Sequence, residues 1–376
     1  MSTATPPHSP AEKLRRQMID RLTTAGALRT APWIEAFTAV PREAFVPEFD
    51  VRGPDGMRRV RCGDADWLPA VYSDRSLLTQ WDEGGTATSS STEPGLMARM
   101  LEALDVADGH RVLEIGVGTG YNAALLSHRL GSDRVVSVDI DPALVDAARN
   151  RLNGLGHTPT LVAGDGTAGC PEHGPYDRIL ATCGIGVPDA WRHQVEPGGV
   201  IVSNVGCGLA RLTVHADRSA AGRFLPALAA FMSARHSPGQ VMPRAGQYAG
   251  ILATAVGRTR SITLPVDLAD PMVPFFTFLV QPDVLEVGFT QGAGEYTRGL
   301  VDPVTDSWAC ISPRPDGTAH LEHKGPRNLW DEREPILTHW AENGRPGPER
   351  YGLTITPDGE RTLWLDKSTG ASWRLP

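Results

Sequence analysis

The sequence lacks long apolar segments and an excess of positive charge, and both absences exclude classes of protein. No stretch approaches the roughly 20 apolar residues that a membrane helix needs. Residues 1–16 contain no apolar core of the kind found in secretory signals. The net charge of −8 argues against a general nucleic-acid-binding protein. We therefore predict a cytoplasmic protein with neither a membrane nor a nucleic acid as partner.

Cysteine is also scarce and widely spaced. The five cysteines include no Cys-x-x-Cys pair, so neither a zinc site nor a disulfide framework follows from them. The segment "HLEH" at 320–323 would bring two histidines together, but surface histidines explain it as well. We expect free thiols and no bound metal. The hydrophobic fraction of 41% is ordinary for a folded chain.

The composition changes along the 376 residues, and the length favours two domains. Residues 1–10, rich in proline and serine, predict a flexible leader. A first domain is expected at 11–220, opening on a helix whose apolar stripe is Leu14, Met18 and Leu22. An accessory domain that binds peptide is expected at 221–376. Five of the nine tryptophans lie there, so this part should be folded.

Two local patterns stand out in the C-terminal part. The stretch "FLPALAAFMSARHSPG" at 224–239 is expected to contain a helix and its exit. Further on, "GLTITPDGERTLWL" at 352–365 predicts a β-hairpin around Asp358-Gly359. Trp308 or Trp330 would be able to grip a peptide, although tryptophan in a folded domain more often belongs to the core.

Strand patterns and helix patterns alternate from residue 94 to about 205. Apolar strands are predicted in "HRVLEIG", "DRVVSVDI", "TPTLVAG", "YDRILAT" and "GGVIVSN". Helices are predicted between them, one of them opened by Asp141 as cap and Pro142 as first residue. This alternation predicts a parallel sheet covered on both faces. The expected fold class is α/β, a doubly wound Rossmann-like sheet with a smaller C-terminal α+β domain.

The strongest local motif is "VLEIGVGTGYNAALLS" at 112–127. A strand ends at Ile115, and glycines follow at 116, 118 and 120 before the next helix. Glycines at such a turn let backbone N–H groups approach a ligand at the helix start. Alone the pattern is weak, because glycines at a strand-to-helix turn also serve packing.

Carboxylates at three successive strand ends strengthen the case for a ligand. Glu114 stands where a dinucleotide site usually has an apolar residue, and it would attract a cation such as S-adenosylmethionine. Asp139 is placed to bind ribose hydroxyls. Asp165 is placed to accept from the adenine amino group, with Gly166 leaving room for the ring. Each acid alone would also serve as a helix cap or as a solvated loop charge.

Ligands of doubly wound sheets bind outside the carboxyl ends of the strands, so these residues should line one crevice. We predict S-adenosylmethionine as the cofactor and a methyltransferase rather than a dehydrogenase. The predicted cofactor contacts are Glu114, Gly116, Gly118, Gly120, Tyr121, Asp139, Ile140, Asp165 and Gly166. Cys183 follows the fourth strand near the same crevice, and it is expected to be a packing residue rather than a nucleophile.

Further blocks of residues resemble the protein-L-isoaspartate O-methyltransferase family. The resemblance runs from about 11 to 215 and rests on "AVPREAFVPE" (39–48), "TATSSSTEPGLMARMLEAL" (86–104), "RVLEIGVGTGYNAALL" (111–126), "GDG" (164–166), "PYDRILAT" (175–182) and "VEPGGVIV" (195–202). The first two blocks are not shared by methyltransferases at large. The resemblance implies methyl transfer from S-adenosylmethionine to the free carboxylate of an isoaspartyl residue in a peptide or protein, after which the ester collapses to a succinimide.

The resemblance also gives a meaning to the five consecutive hydroxyl residues at 88–92. The family's substrate-binding serine matches Thr92, and Ser90 and Ser91 precede it. These three residues are the predicted catalytic group. A hydroxyl of Ser91 or Thr92 is also expected to cap the helix that begins at Pro94. The β-branch of Thr92 narrows the space for the substrate. Glu93 replaces the family's glutamine. At these two positions the chain departs from the repair enzymes.

Three functions remain open at this level. The tail at 329–366 resembles longer members that accompany ribosomally synthesised and post-translationally modified peptides. A modified peptide is therefore the favoured substrate, with an aspartyl residue converted to aspartimide or isoaspartate. General isoaspartate repair is the first alternative. The second is a non-catalytic peptide-binding protein, which would fail to bind S-adenosylmethionine.

Overall fold

The computed structural model describes residues 9–53, 56–237, 240, 245–291 and 295–376. Their α-helices are α1 (Pro10–Thr24), α2 (Ala31–Ala39), α3 (Trp67–Val71), α4 (Pro94–Leu104), α5 (Tyr121–Leu130), α6 (Pro142–Asn153), α7 (Asp189–Gln194), α8 (Ala249–Leu252), α9 (Val273–Val280) and α10 (Leu329–Glu342). Within these ranges, no helix has the length and apolar character needed to cross a membrane.

The strands of the same residues form three sheets. They are β1 (Glu48–Gly53), β2 (Gly56–Arg61), β3 (Leu77–Trp81), β4 (Ala87–Ser91), β5 (Val112–Ile115), β6 (Val135–Asp139), β7 (Thr160–Ala163), β8 (Tyr176–Gly184), β9 (Val195–Val205), β10 (Gly208–Val214), β11 (Ala220–Leu228), β12 (Arg258–Thr263), β13 (Leu285–Gln291), β14 (Glu295–Asp302), β15 (Ser307–Pro313), β16 (Thr318–Lys324), β17 (Tyr351–Ile355), β18 (Arg361–Leu365) and β19 (Ser372–Leu375).

Helix starts follow the local sequence. The Ser9 side chain accepts from the Glu12 N–H and the Glu12 carboxylate accepts from the Ser9 N–H, a capping box that opens α1 at the first of the described residues. The predicted leader therefore lies outside the described residues except for Ser9 and Pro10. Asp141 caps α6 by accepting from Ala143 N–H, with Pro142 as the first helical residue. That prediction is confirmed.

The central sheet has ten strands in the order β19-β18-β17-β11-β10-β9-β8-β5-β6-β7. Strands β9, β8, β5, β6 and β7 run parallel, as the alternation of strands and helices predicts. Because β5 is flanked by β6 on one side and by β8 on the other, the chain winds outward in both directions from β5. The doubly wound α/β class is confirmed, and its switch point lies between β5 and β8.

The rest of the central sheet is antiparallel and receives strands from the C-terminal end of the chain. Strand β17 pairs with β11, and β17 and β18 form the predicted hairpin, with Tyr351 opposite Leu365. The helix expected within 224–239 is wrong at its start, because β11 extends to Leu228. A short apolar run does not distinguish a strand from a helix, and Pro226 would break a helix interior.

Alternate residues of the central strands face two different cores. On β8, Leu180 contributes to the core under α1, α2, α4 and α5, whereas Ile179 and Ala181 contribute to the other. The second core also contains Phe275, Tyr351 and Trp340, so the C-terminal part packs directly against one face of the sheet. Trp330 is 1% exposed and belongs to this core, so it does not offer a peptide-binding surface.

Two smaller sheets complete the molecule. Five antiparallel strands in the order β12-β16-β15-β14-β13 form the C-terminal sheet, which gives the α+β character expected for that part. Four strands in the order β2-β1-β3-β4 form the N-terminal sheet. Its edge strand β4 contains most of the hydroxyl run, so the run is extended backbone with side chains on alternate faces. The domain division at 220 stays a prediction.

Candidate active site

A cavity of about 250 Å³ lies at the carboxyl ends of β5, β6 and β8. This position is the topological switch point, where ligands of open α/β sheets bind. Two parts of its lining matter for the chemistry. We call residues 115–119, 121, 122 and 138–140 the glycine wall, and residues 88–92 the hydroxyl wall.

The first glycine of the motif has a steric reason. Gly116 has φ +98°, and a Cβ there would lie 2.8 Å from Thr182 Oγ1. The Thr182 hydroxyl is close because it bonds to the carbonyls of Ile115 (3.1 Å) and Gly116 (2.9 Å). A side chain at 116 would therefore displace the group that anchors the loop. Thr182, which lies on β8, thus fixes the backbone of the glycine wall.

Asp139 joins the two strand ends of the glycine wall. Its Oδ2 accepts from Gly118 N–H at 2.9 Å, and its Oδ1 accepts from Asp141 N–H at 3.1 Å. Burial raises the pKa of this carboxyl, and the two N–H donors act in the opposite direction. Asp139 lines the cavity, as do the predicted contacts Gly116, Gly118, Tyr121, Ile140 and Gly166.

Glu114 stands behind the loop and not in the cavity lining. It is fully buried, and it accepts from Asn122 Nδ2 at 2.6 Å and from Ser137 Oγ at 2.5 Å. Burial raises its pKa to about 7, although the Ser137 and Asn122 hydrogen bonds lower it. Direct attraction of a cofactor cation by Glu114 was expected. The geometry instead gives it the role of orienting Asn122, which does line the cavity.

Gly120 and Asp165 also lie outside the lining. A Cβ on Gly120 would lie 3.1 Å from the Ala148 Cβ, so this glycine permits helix packing. Asp165 Oδ1 accepts from Thr167 N–H at 2.8 Å, and Oδ2 lies 3.0 Å from His236 Nδ1. Thr167 and His236 thus compete with adenine for the Asp165 carboxylate, whereas the neighbouring Gly166 faces the cavity. The contact to adenine stays a prediction.

The hydroxyl wall brings the predicted catalytic group together. Ser90, Ser91 and Thr92 all line the cavity, as do Thr88 and Ser89. The wall lies close to the glycine loop, since a Cβ placed on Gly118 would be 3.5 Å from the Ser90 carbonyl oxygen. The residues that match the family's substrate segment thus face those that match its cofactor segment across one cavity.

The expected helix cap by Ser91 or Thr92 is wrong. Glu93 occupies the cap position of α4, and its side chain makes no capping bond. The Asp74 carboxylate takes that role from a distant part of the chain by accepting from Gly95 N–H at 2.6 Å. Pairing of β4 with β3 draws the hydroxyls into the sheet and away from the helix start.

A further cavity wall was missed by sequence reasoning. Residues 230–235, directly after β11, cross the end of β8 and line the cavity. Two backbone bonds hold this segment in place, from Gly184 N–H to the Met232 carbonyl (2.8 Å) and from Ala234 N–H to the Gly184 carbonyl (2.9 Å). No local motif signals such a contact, because it depends on two segments that are far apart in sequence.

Cys183 lines the cavity, as its position after the fourth strand suggested. Burial raises the pKa of its thiol to about 12. The thiol is therefore protonated at neutral pH, which makes it a poor nucleophile. The chemistry of the site must come from its hydroxyls, carboxylates and backbone groups.

Two buried polar atoms beside the cavity are unsatisfied within the described part of the chain. They are the Tyr121 hydroxyl and the Asn122 side-chain oxygen, and both residues line the cavity. Buried polar groups without a partner are costly, and a ligand that supplies the missing bonds would recover that cost. With the open glycine backbone and the Asp139 carboxylate, they suit a ligand rich in ammonium and hydroxyl groups, such as S-adenosylmethionine.

Comparisons with known proteins agree with this site. Residues 58–227 match the family model described as protein-L-isoaspartate (D-aspartate) O-methyltransferase. The protein-L-isoaspartate O-methyltransferase of Methanopyrus kandleri is 37% identical over 198 residues, which are 52% of this chain and 77% of that protein. The enzyme of the same name from Methylorubrum extorquens is 38% identical over 193 residues, 51% of this chain and 74% of that protein.

The likeness in fold extends beyond these matched residues. A solved chain named protein-L-isoaspartate O-methyltransferase covers 94% of this chain and 100% of its own length, with a TM-score of 0.55 and 23% identity. From the sequence matches, the chain belongs to the protein-L-isoaspartate O-methyltransferase family, carboxyl O-methyltransferases whose methyl donor is S-adenosylmethionine.

Proposed function

We propose that this enzyme methylates the free carboxylate of isoaspartyl residues in peptides or proteins. The observation that carries the proposal is the cavity at the switch point, where the glycine wall faces the hydroxyl wall. A methyl donor and a carboxylate must meet in line for the transfer, and two dissimilar walls about one cavity provide that arrangement.

The glycine wall would hold the cofactor. Asp139 would bind the ribose hydroxyls while its Gly118 bond keeps the loop in place. Gly116 and Gly118 would let the backbone approach the ligand, and Gly166 would face the adenine. The Tyr121 hydroxyl and the Asn122 oxygen would gain the partners that they lack within the described residues. S-adenosylmethionine, once bound, supplies a methyl group activated by its sulfonium.

The hydroxyl wall would hold the substrate. Thr92, with Ser90 beside it, would donate hydrogen bonds to the carboxylate or to the peptide backbone. No general base is required, because a carboxyl of ordinary pKa about 3.9 is already ionised at neutral pH. The task of the protein is to orient this oxygen and to strip part of its water, and the hydroxyl wall has donors but no basic side chain to compete for the methyl group.

The test compares two synthetic peptides that differ only in an isoaspartyl or an aspartyl linkage. Each is incubated with the enzyme and methyl-labelled S-adenosylmethionine, and label is measured in the peptide. We expect labelling of the isoaspartyl peptide alone, followed by release of labelled methanol as the succinimide forms. Labelling of neither peptide, with cofactor bound normally, would contradict the proposal.

A second candidate is methylation of an aspartyl residue in a ribosomally made, modified peptide, with aspartimide or isoaspartate as the product. Thr92 and Glu93, which replace the family's serine and glutamine, favour it. The C-terminal part does not discriminate, since a solved chain named as a repair-family enzyme shares it. Mass spectrometry of a constrained aspartyl peptide separates the two: addition of a methyl group and then loss of methanol would support the second candidate.

A further inference from the structure

Arg42, in the "VPREAF" segment, is a fully buried arginine for which the cofactor and substrate contacts above give no reason. Its Nη1 donates to the carbonyls of Val71 (2.7 Å) and Ser73 (3.2 Å). Its Nη2 donates to the carbonyls of Ser91 (3.2 Å) and Thr92 (3.0 Å). The Ser91 hydroxyl also accepts from Nη2 at 3.2 Å and from Nε at 3.3 Å.

The hydrogen-bond acceptors of this buried charge are all uncharged groups. The partners are carbonyls and one hydroxyl, and no carboxylate within the described residues accepts a hydrogen bond from Arg42. Burial lowers its pKa to about 10, so the guanidinium is still charged at neutral pH. Burying a charge is costly, and the Asp74 carboxylate, which acts on Arg42 through its charge, offsets part of that cost. A carboxylate substrate in the cavity would offset more of it.

The bonds of Arg42 also determine what the hydroxyl wall presents to the cavity. The guanidinium engages the carbonyl oxygens of Ser91 and Thr92. Carbonyl oxygens directed into the cavity would repel an anionic substrate, and these two are directed to the cation instead. At the same time the guanidinium ties the end of β4 to residues 71–75, so the wall has a fixed position.

We propose that Arg42 is a positioning residue for the carboxylate substrate. It holds Ser91 and Thr92 with their carbonyls turned to the guanidinium, and it places a positive charge behind the hydroxyl wall. The effect on the carboxylate rests on the proposed function, whereas the effect on the wall does not. Arg42 does not line the cavity, so it would act through the residues that it orients.

The first experiment separates substrate from cofactor. In Arg42→Gln we expect the KM for an isoaspartyl peptide to rise about 30-fold, as loss of a charge-assisted network implies. The KM for S-adenosylmethionine should stay within about twofold. Arg42→Lys keeps the charge but lacks the planar guanidinium. Its KM for the peptide should therefore lie between those of the wild type and Arg42→Gln. Equal changes in both KM values, or no change in either, would overturn the proposal.

A matched control is Arg192→Lys. Arg192 is 1% exposed, and it donates to the Thr356 carbonyl at 2.9 Å and to Asp189 Oδ1 at 2.7 Å, away from the hydroxyl wall. Its replacement should lower stability and leave the peptide KM unchanged. If it raises the peptide KM as much as Arg42→Lys does, the effect reflects stability alone and the proposal fails.

Hydrogen exchange tests whether Arg42 holds the hydroxyl wall in place, and it needs no substrate. In Arg42→Gln or Arg42→Lys, amides at 88–93 should exchange about tenfold faster, while those at 112–122 should not change. Should Arg42→Gln not fold, Ser91→Ala removes one acceptor, keeps both carbonyl bonds and should give a smaller change in the same segment. Unchanged exchange at 88–93 in every variant overturns the positioning role. Failure of the wild-type enzyme to label any isoaspartyl peptide overturns the proposed function instead.

Discussion

The glycine wall and the hydroxyl wall would bind ligands of opposite charge, and they present different chemical groups to the cavity. The glycine wall presents backbone N–H groups and one carboxylate, and its anchors, Thr182 and Glu114, lie on strands of the same sheet. The hydroxyl wall presents side-chain donors on an edge strand and is tied by an arginine that lies about fifty residues earlier in the chain. The first wall suits a cationic nucleoside, whereas the second suits an anion.

The largest effect should come from the one carboxylate of the glycine wall. Asp139→Ala removes the acceptor of Gly118 N–H and the proposed ribose contact. We expect about 100-fold weaker binding of S-adenosylmethionine, equivalent to about 3 kcal/mol, measured by calorimetry. Asp146→Ala is the control, since Asp146 pairs with Arg149 on the exposed face of α6. Normal turnover by Asp139→Ala would remove Asp139 from the cofactor site.

The next effect tests the hydroxyl wall by itself. Thr92→Val keeps the shape and the β-branch but removes the hydroxyl. We expect kcat/KM for an isoaspartyl peptide to fall about 30-fold, as one hydrogen bond to a charged group implies, with cofactor affinity unchanged. Thr92→Ser should retain activity, since it keeps the hydroxyl. A Thr92→Val enzyme as active as the wild type would mean that Thr92 only lines the cavity.

The two walls also differ in how far the sequence predicts them. The glycine wall depends on short-range features, a glycine turn after a strand and a carboxylate at the next strand end, and half of its residues were predicted. Glu114 lies outside the cavity lining, because in the folded sheet its carboxylate is engaged by Asn122 and Ser137, and its role toward the cofactor stays a prediction. The parallel strands and their helices were predictable for the same short-range reason.

The hydroxyl wall was predicted only as a set of residues. Its strand, its pairing with β3 and its tie to Arg42 are long-range features without a local pattern. The cap was wrong because Asp74, some twenty residues earlier, reaches the helix start. The stretch 224–239, expected to contain a helix and its exit, instead crosses the end of β8 at 230–235, and its bonds to Gly184 are invisible in a window of neighbouring residues. Resemblance to a family identified the segment but not what holds it.

A third prediction uses the pH dependence of stability to test the anchor of the glycine wall. The pKa of Glu114 is about 7 in the folded protein and about 4.5 when unfolded. A raised pKa means that the folded state binds the proton more tightly. This contribution is fully present below pH 4.5 and is lost as pH rises to about 7, a change of roughly 3 kcal/mol.

Glu114→Gln imitates the protonated acid and should not titrate. The difference in free energy of unfolding between this variant and the wild type, measured in urea, should therefore shift in favour of the variant from pH 4.5 to 7. The variant should also bind S-adenosylmethionine about tenfold more weakly, because the amide cannot accept from both Asn122 and Ser137. A difference that is constant with pH would mean that Glu114 is ionised throughout in the folded protein.

The smallest effect is expected at Glu93, where the chain leaves the family pattern without lining the cavity. Burial, with Asp74 nearby, raises the pKa of its carboxyl, and Arg99 acts in the opposite direction. A charge that is partly buried beside the hydroxyl wall should oppose an anionic substrate, but Arg42, which donates to the carbonyls of Ser91 and Thr92, has the opposite sign. Glu93→Gln should therefore lower the peptide KM only about threefold. This gain should shrink at high salt, because the interaction is long-range and partly screened. Glu93 would instead act on charged residues that flank the reacting carboxylate if the gain disappears for a substrate without such a charge. Kinetics with neutral and with acidic flanking sequences separate these two causes.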